Sequence, residues 1–247
     1  MDLSASVGWL SVGASILAAV CCFLLPHCPP KGGPPKNVLD VLGLRAFRLF
    51  KQRDTAMFFG TAFLFSIPLS AYFMHTPQQL RFLGCEQIAA VMTVGQLTEV
   101  VAMLMMGWLL RTWSIKSIFV LALACGTLRY LLYAVGASDD SIASVLLGVA
   151  LHGICWTYFF EAGKVFLARR IERGIRTQSQ ALLALFTSGI GGLAGTAFVG
   201  WAHGYLVNET TGAGWSDYWW LLTAVCGFCV IGFMIGYRGK TPVQKDD

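Results

Sequence analysis

Long apolar runs separated by short polar stretches dominate the chain. Seven runs reach the length a bilayer requires: residues 7–25, 55–74, 88–110, 115–136, 142–167, 181–207 and 215–237. A hydrocarbon core about 30 Å thick needs about 20 apolar residues at a helical rise of about 1.5 Å. The expected fold class is therefore an all-α polytopic membrane protein with seven transmembrane helices.

The polar stretches set the orientation. Lys31, Lys36, Arg45, Arg48, Lys51 and Arg53 follow the first run, and Arg111 and Lys116 flank the third–fourth loop. Arg169, Arg170, Arg173 and Arg176 fill the fifth–sixth loop, and Arg238, Lys240 and Lys245 follow the last run. The alternate loops hold Arg81 together with Glu86, Asp139, Asp140 and Glu209. Lys and Arg collect on the cytoplasmic side, so the chain is expected in the cell membrane with its amino terminus outside and its carboxyl terminus in the cytoplasm. Asp2 is the only charge ahead of the first run. A secretory signal needs a basic start and a small-residue cleavage site, so the first run reads as a retained helix.

Four segments follow from this pattern: residues 1–30 with the first helix, a basic cytoplasmic linker at 31–54, a six-helix body at 55–238 and a cytoplasmic tail at 239–247. Residues 39–50 of the linker have the pattern of an amphipathic helix lying on anionic lipid through Arg45, Arg48 and the following Lys51.

Composition sharpens the picture. Apolar residues make up 56 % and charged residues 13 %, about half the charged share of a soluble domain. The net charge of +5 resides in the loops, which speaks for topology and against a nucleic-acid partner. Six of the eight cysteines lie inside apolar runs, and Cys28 and Cys85 fall on opposite sides of the bilayer, so no structural disulfide is expected. Cys226-Gly-Phe-Cys229 has a redox or metal spacing but sits mid-span without a second ligand pair, so it reads as packing. Residues 189–194 mimic a dinucleotide fingerprint without the required strand. Gly191 and Gly195 instead form a small-residue face for close helix approach. No catalytic triad order, phosphate loop or metal-ligand cluster survives placement in the spans. Neither an enzyme nor a cofactor is expected.

Ionisable groups at bilayer depth are costly, so they face a cavity or a partner. Glu99 lies mid-span in Gly95-Gln96-Leu97-Thr98-Glu99, and Gln96 shares its helix face three residues away. An amide beside a carboxylate can bind hydroxyls or the edge of a base, and the carboxylate can carry a proton; a structural pair holding two helices together is the other reading. Arg129, deep in the fourth run, is a charge partner for Glu99 or Glu161, a solute ligand or a packing group. Glu161 and Lys164, three apart, can pair. His152-Gly153 and the run from Trp156 to Phe160 supply aromatic faces that either stack on a solute or pack against lipid.

These residues carry a resemblance. Gly95-Gln96-Leu97-Thr98-Glu99, Arg129-Tyr130, Leu151-His152-Gly153 and Arg176-Thr177-Gln178-Ser179-Gln180-Ala181-Leu182 occur in the order and spacing of one family. The stretch from about Arg53 to Arg238 resembles the carboxyl-terminal six-helix half of a major facilitator superfamily transporter, in its nucleoside:proton symporter branch. The first helix and basic linker resemble the last helix and central loop of an amino half. The resemblance implies a whole or partial secondary transporter for nucleosides or a similar small polar solute, coupled to protons and working by alternating access. It implies solute contacts at Gln96, Glu99, Trp156, Phe160 and Ser70, and proton coupling or charge pairing through Glu99, Arg129 and Glu161. Where the family carries polar residues, this chain has Ser70 and Phe73. Where the family carries an acid after the fifth-span aromatic, it has Thr157.

A single bundle implies association with a second half-transporter or with another copy. Two further readings stand beside transport: a non-transporting fragment of a transporter, and a seven-helix receptor. The last run contains no lysine for a retinal Schiff base, and Arg111-Thr112-Trp113 only weakly imitates a receptor's third-span arginine.

Overall fold

The structure, a computed structural model, describes residues 3–26, 44–171 and 175–239. The linker start at 31–43 and the tail from residue 240 lie outside the described residues, as does Cys28. The chain divides into two units, residues 1–41 and 42–247.

The first unit contains helix α1 (Leu3–Phe23). The second opens with a 3-10 helix, Leu44–Lys51, followed by α2 (Arg53–Phe82), α3 (Ile88–Thr112), α4 (Ile115–Ser138), α5 (Ile142–Arg170), α6 (Arg176–Leu206) and α7 (Trp215–Gly236). These six helices, α2 to α7, are long and apolar enough to cross a membrane, with mean hydropathy of 1.5 to 2.0. A shorter apolar helical stretch, Gly8–Phe23, lies in α1.

Local chemistry explains several boundaries. Ser114 and Ser141 cap α4 and α5, accepting hydrogen bonds from the backbone N–H groups of Ser117 and Ser144. Gly214 precedes α7 with φ 88°, where a Cβ would stand 1.8 Å from the Leu206 carbonyl oxygen. Helix α2 runs eight residues beyond the apolar stretch that ends at Met74. Hydropathy falls there because His75, Thr76 and Gln79 are polar, yet all three are buried within the bundle. Helices α5 and α6 each contain a π-helical turn, at Thr157–Glu161 and Leu185–Gly189.

The principal neighbours run in the order α3, α5, α4, α7, α2, α6, which leaves α3 and α6 at the two ends of an arc. Burial follows this order: 11 % of the most apolar part of α3 and 28 % of that of α6 are buried, against 39–50 % for the other four. In α3 only Gly95, Ala102 and Leu109 are buried. They are seven residues apart, which makes one narrow seam along the helix.

The body's core is aromatic. Phe58, Phe65, Phe119, Phe159 and Phe233 are fully buried, and Phe58 stacks on Phe119 with ring centroids 5.2 Å apart. Small residues let the helices close on it. A Cβ on Gly191 would meet Ser66 Oγ at 2.3 Å, and one on Gly195 would meet Ser70 Oγ at 2.5 Å. Gly191 of the fingerprint-like run and Gly195 after it thus seat α6 against α2.

Candidate functional site

Helix α5 builds an aromatic ladder on one face. His152, Trp156 and Phe160 recur every four residues, which places them one above another. The Tyr72 and His152 rings stack 4.1 Å apart at 9°. Trp156 follows His152 at 6.2 Å, and Phe160 follows Trp156 at 4.9 Å.

The lower part of this ladder forms one wall of a cleft of about 180 Å³ between α2, α5 and α6. Ser66, Ser70 and Phe73 line it from α2, and Thr187, Ser188 and Gly192 from α6. Both π-helical turns reach it, through Phe160 on one side and Thr187 and Ser188 on the other. Turns of this kind are frequent at functional sites. The Ser66 and Thr187 hydroxyls donate to Phe63 O at 2.6 Å and Leu183 O at 2.9 Å, which leaves their lone pairs as acceptors. The volume lies below the usual 300–1,000 Å³ of a complete small-molecule site.

Ser70, Trp156 and Phe160, singled out from the sequence, thus meet in one cleft. Gln96 and Glu99 lie on α3, outside its lining. They are joined to it through the backbone: a Cβ on Gly153 would stand 2.1 Å from the Glu99 nitrogen and 2.3 Å from the Thr98 carbonyl carbon. The α5 backbone therefore touches α3 at Glu99, three residues before Trp156. Gln96 is exposed and Glu99 half-buried. Neither side chain has a hydrogen-bond partner among the described residues.

Of the roles open to Arg129 (charge partner for Glu99 or Glu161, solute ligand or packing group), its surroundings in the structure are those of a group packed between helices. Arg129 is fully buried between helices. Its Nη1 donates to His152 Nδ1 at 2.9 Å and its Nη2 to the Tyr130 hydroxyl, which donates in turn to the Pro68 carbonyl. Its guanidinium lies 5.0 Å from the centre of the Tyr72 ring and 4.5 Å from that of Tyr130. The hydroxyls and rings on its sides of α2, α4 and α5 hold the cation, with no carboxylate among these partners. Glu161 is bound instead by Lys164, Nζ to Oε1 at 2.6 Å.

This arrangement also decides the state of His152. A guanidinium has donors only, so Nδ1 must accept and the ring proton sits on Nε2. Ser66, Thr187 and Ser188 are the cleft residues that the sequence pattern does not single out. The readable signal is Thr187-Ser188 inside an otherwise apolar span. Among the described residues, no group of three or more His, Cys, Asp or Glu is placed to hold a metal.

Comparison with known proteins adds identity to this geometry. The sequence model of a family described as "Nucleoside H+ symporter" matches residues 1–242. The chain is 28 % identical over 250 residues to the "Putative nucleoside transporter YegT" of Escherichia coli (strain K12), covering 96 % of this chain and 59 % of that protein. It is 24 % identical to the "Xanthosine permease" of the same organism, covering 99 % and 61 %. Two crystal structures of the nucleoside transporter NupG, one of a point mutant, share the fold with TM-scores of 0.71 and 0.73. Their identities are 22 % and 23 %, and they cover 92 % of this chain and 59–60 % of theirs. The chain spans about three fifths of the length of these relatives.

Proposed function

We propose, since this chain belongs to the nucleoside H+ symporter family, that it forms one bundle of a proton-coupled nucleoside carrier rather than an enzyme. The observation that carries the reading is the half-open cleft, where Trp156, Phe160 and Ser70 converge beside the contact of Gly153 with Glu99. Aromatic faces stack on a base, and serine and threonine oxygens accept from sugar hydroxyls. Gln96 and Glu99, unpartnered on α3, offer an amide and a carboxylate to the base edge or ribose. Glu99 takes the proton. Glu161 is the secondary candidate, held by Lys164, and Arg129 acts through His152.

The second wall comes from another bundle, either a separately encoded amino half or a second copy, seated on the open side between α3 and α6. The two least buried helices stand there, and the polar face of α3 costs several kcal/mol if left in hydrocarbon. In this reading residues 1–30 and 31–54 are the preceding helix and its cytoplasmic linker, 55–238 the transporter half and 239–247 the tail.

Stacking of a base on an aromatic ring is worth about 1–3 kcal/mol. Trp156→Ala is therefore expected to weaken binding of a radiolabelled nucleoside by about 5- to 150-fold at unchanged expression. Parent-like affinity would remove Trp156 from the site.

The membrane orientation is proposed from the basic loops, with the amino terminus outside and the carboxyl terminus in the cytoplasm. A membrane-impermeant thiol reagent should label Cys85 in intact cells and Cys28 only after permeabilisation. Labelling of a carboxyl-terminal tag from outside would contradict it.

A further inference from the structure

A second cleft, of about 390 Å³, lies at the end of the body where the cations gather. Arg48, Lys51 and Arg170 line it above an apolar floor of Leu49, Ile171 and Ile175. No acid is among its described lining residues. The walls are fixed. Ala46 and Leu49 of the 3-10 helix are buried against the body, and Phe50 beside them packs on Phe59 and Phe186 at 5.2 and 5.3 Å. Arg170 lies over the Phe166 ring at 4.7 Å, and its buried Nη1 has no hydrogen-bond acceptor among the described residues. Helix α6 begins at the same wall, after Ile175, with no side-chain cap among the described residues. A helix start left uncapped adds positive potential.

We infer that this cleft binds the phosphate diester headgroup of an anionic phospholipid. Lys51 lies two residues before α2 and Arg170 is the last residue of α5, so in a bundle that spans a bilayer both fall at the membrane surface. The apolar floor suits the glyceride carbons of a lipid and gives nothing to a free phosphate ion. Phe47, 44 % exposed on the 3-10 helix, adds an aromatic anchor of the kind found at membrane surfaces. Basic pockets between helices recognise lipid headgroups by this chemistry. The inference requires a membrane protein but not nucleoside transport.

The test uses the full chain in nanodiscs of phosphatidylcholine with or without phosphatidylglycerol, counting retained phosphatidylglycerol by native mass spectrometry. The parent chain is expected to retain phosphatidylglycerol in preference to phosphatidylcholine. Lys51→Gln should lower the affinity about fivefold, the factor for one surface cation, and Arg170→Gln at least as much. Lys51 is exposed, so its variant does not put folding at risk. Arg111→Gln, at the same end but outside the cleft, should leave retention unchanged. Equal retention by the Lys51 and Arg170 variants would overturn the site. So would equal loss in the Arg111 variant, since that marks a diffuse charge effect. Inorganic phosphate alone competing at millimolar concentration would reassign the cleft to a soluble anion.

Discussion

Gly153→Ala is expected to separate α3 from α5 and destabilise the body by about 3 kcal/mol or more, at the upper end of overpacking costs. The added Cβ would meet the Glu99 nitrogen at 2.1 Å and the Glu99 Cα at 2.6 Å. Both are backbone atoms, so no rotamer change relieves the clash. Helix α3 is held along one seam of Gly95, Ala102 and Leu109, and Glu99 lies between the first two. Thermal unfolding of the detergent-solubilised chain checks this, with Gly200→Ala as control. A Cβ at Gly200 meets nothing within 4 Å, and alanine favours a helix over glycine by about 1 kcal/mol. That variant should match or exceed the parent. Equal unfolding temperatures for parent and Gly153→Ala would show that the two helices do not meet at Glu99.

The second large effect is expected at Glu99. Glu99→Gln keeps the size of the side chain and removes its ability to carry a proton. Because the carboxylate holds no other helix in place, the variant should reach the membrane at parent levels. Its loss should appear in pH-dependent nucleoside uptake in a complemented transporter. A hydrogen bond to a charged group is worth about 1.5–3 kcal/mol, or roughly 10- to 150-fold in affinity. Uptake that keeps its parent pH dependence would withdraw the proton role from Glu99 and move it to Glu161.

The apolar runs made the body legible because lipid leaves hydropathy as the dominant signal. The runs end near the helix ends wherever a loop is charged, as at Arg111 and Lys116. They fall short in α2, where Thr76 and Gln79 are polar for the sake of the interior. The helix face shared by Gln96 and Glu99, and the four-residue spacing of Trp156 and Phe160, were also readable, because helical periodicity is a local property. The π-helical turns were not. A hydrogen-bond slip of one residue changes no composition, yet it brings Phe160, Thr187 and Ser188 to one cleft. The partner of Arg129 was equally hidden. Charge alone pointed to an acid, whereas the fold surrounds the guanidinium with His152, Tyr130 and Tyr72.

The central claim is that the cleft at Trp156 and the Glu99 face together form one wall of a nucleoside site. Its most direct test is uptake of a labelled nucleoside by cells without their own nucleoside permeases, expressing this chain with the amino-terminal half of a family relative. The account predicts uptake that rises with an inward proton gradient and is lost in both Trp156→Ala and Glu99→Gln. Uptake by the pair that is unchanged in both variants would contradict it, as would the absence of nucleoside binding and uptake with both chains correctly inserted.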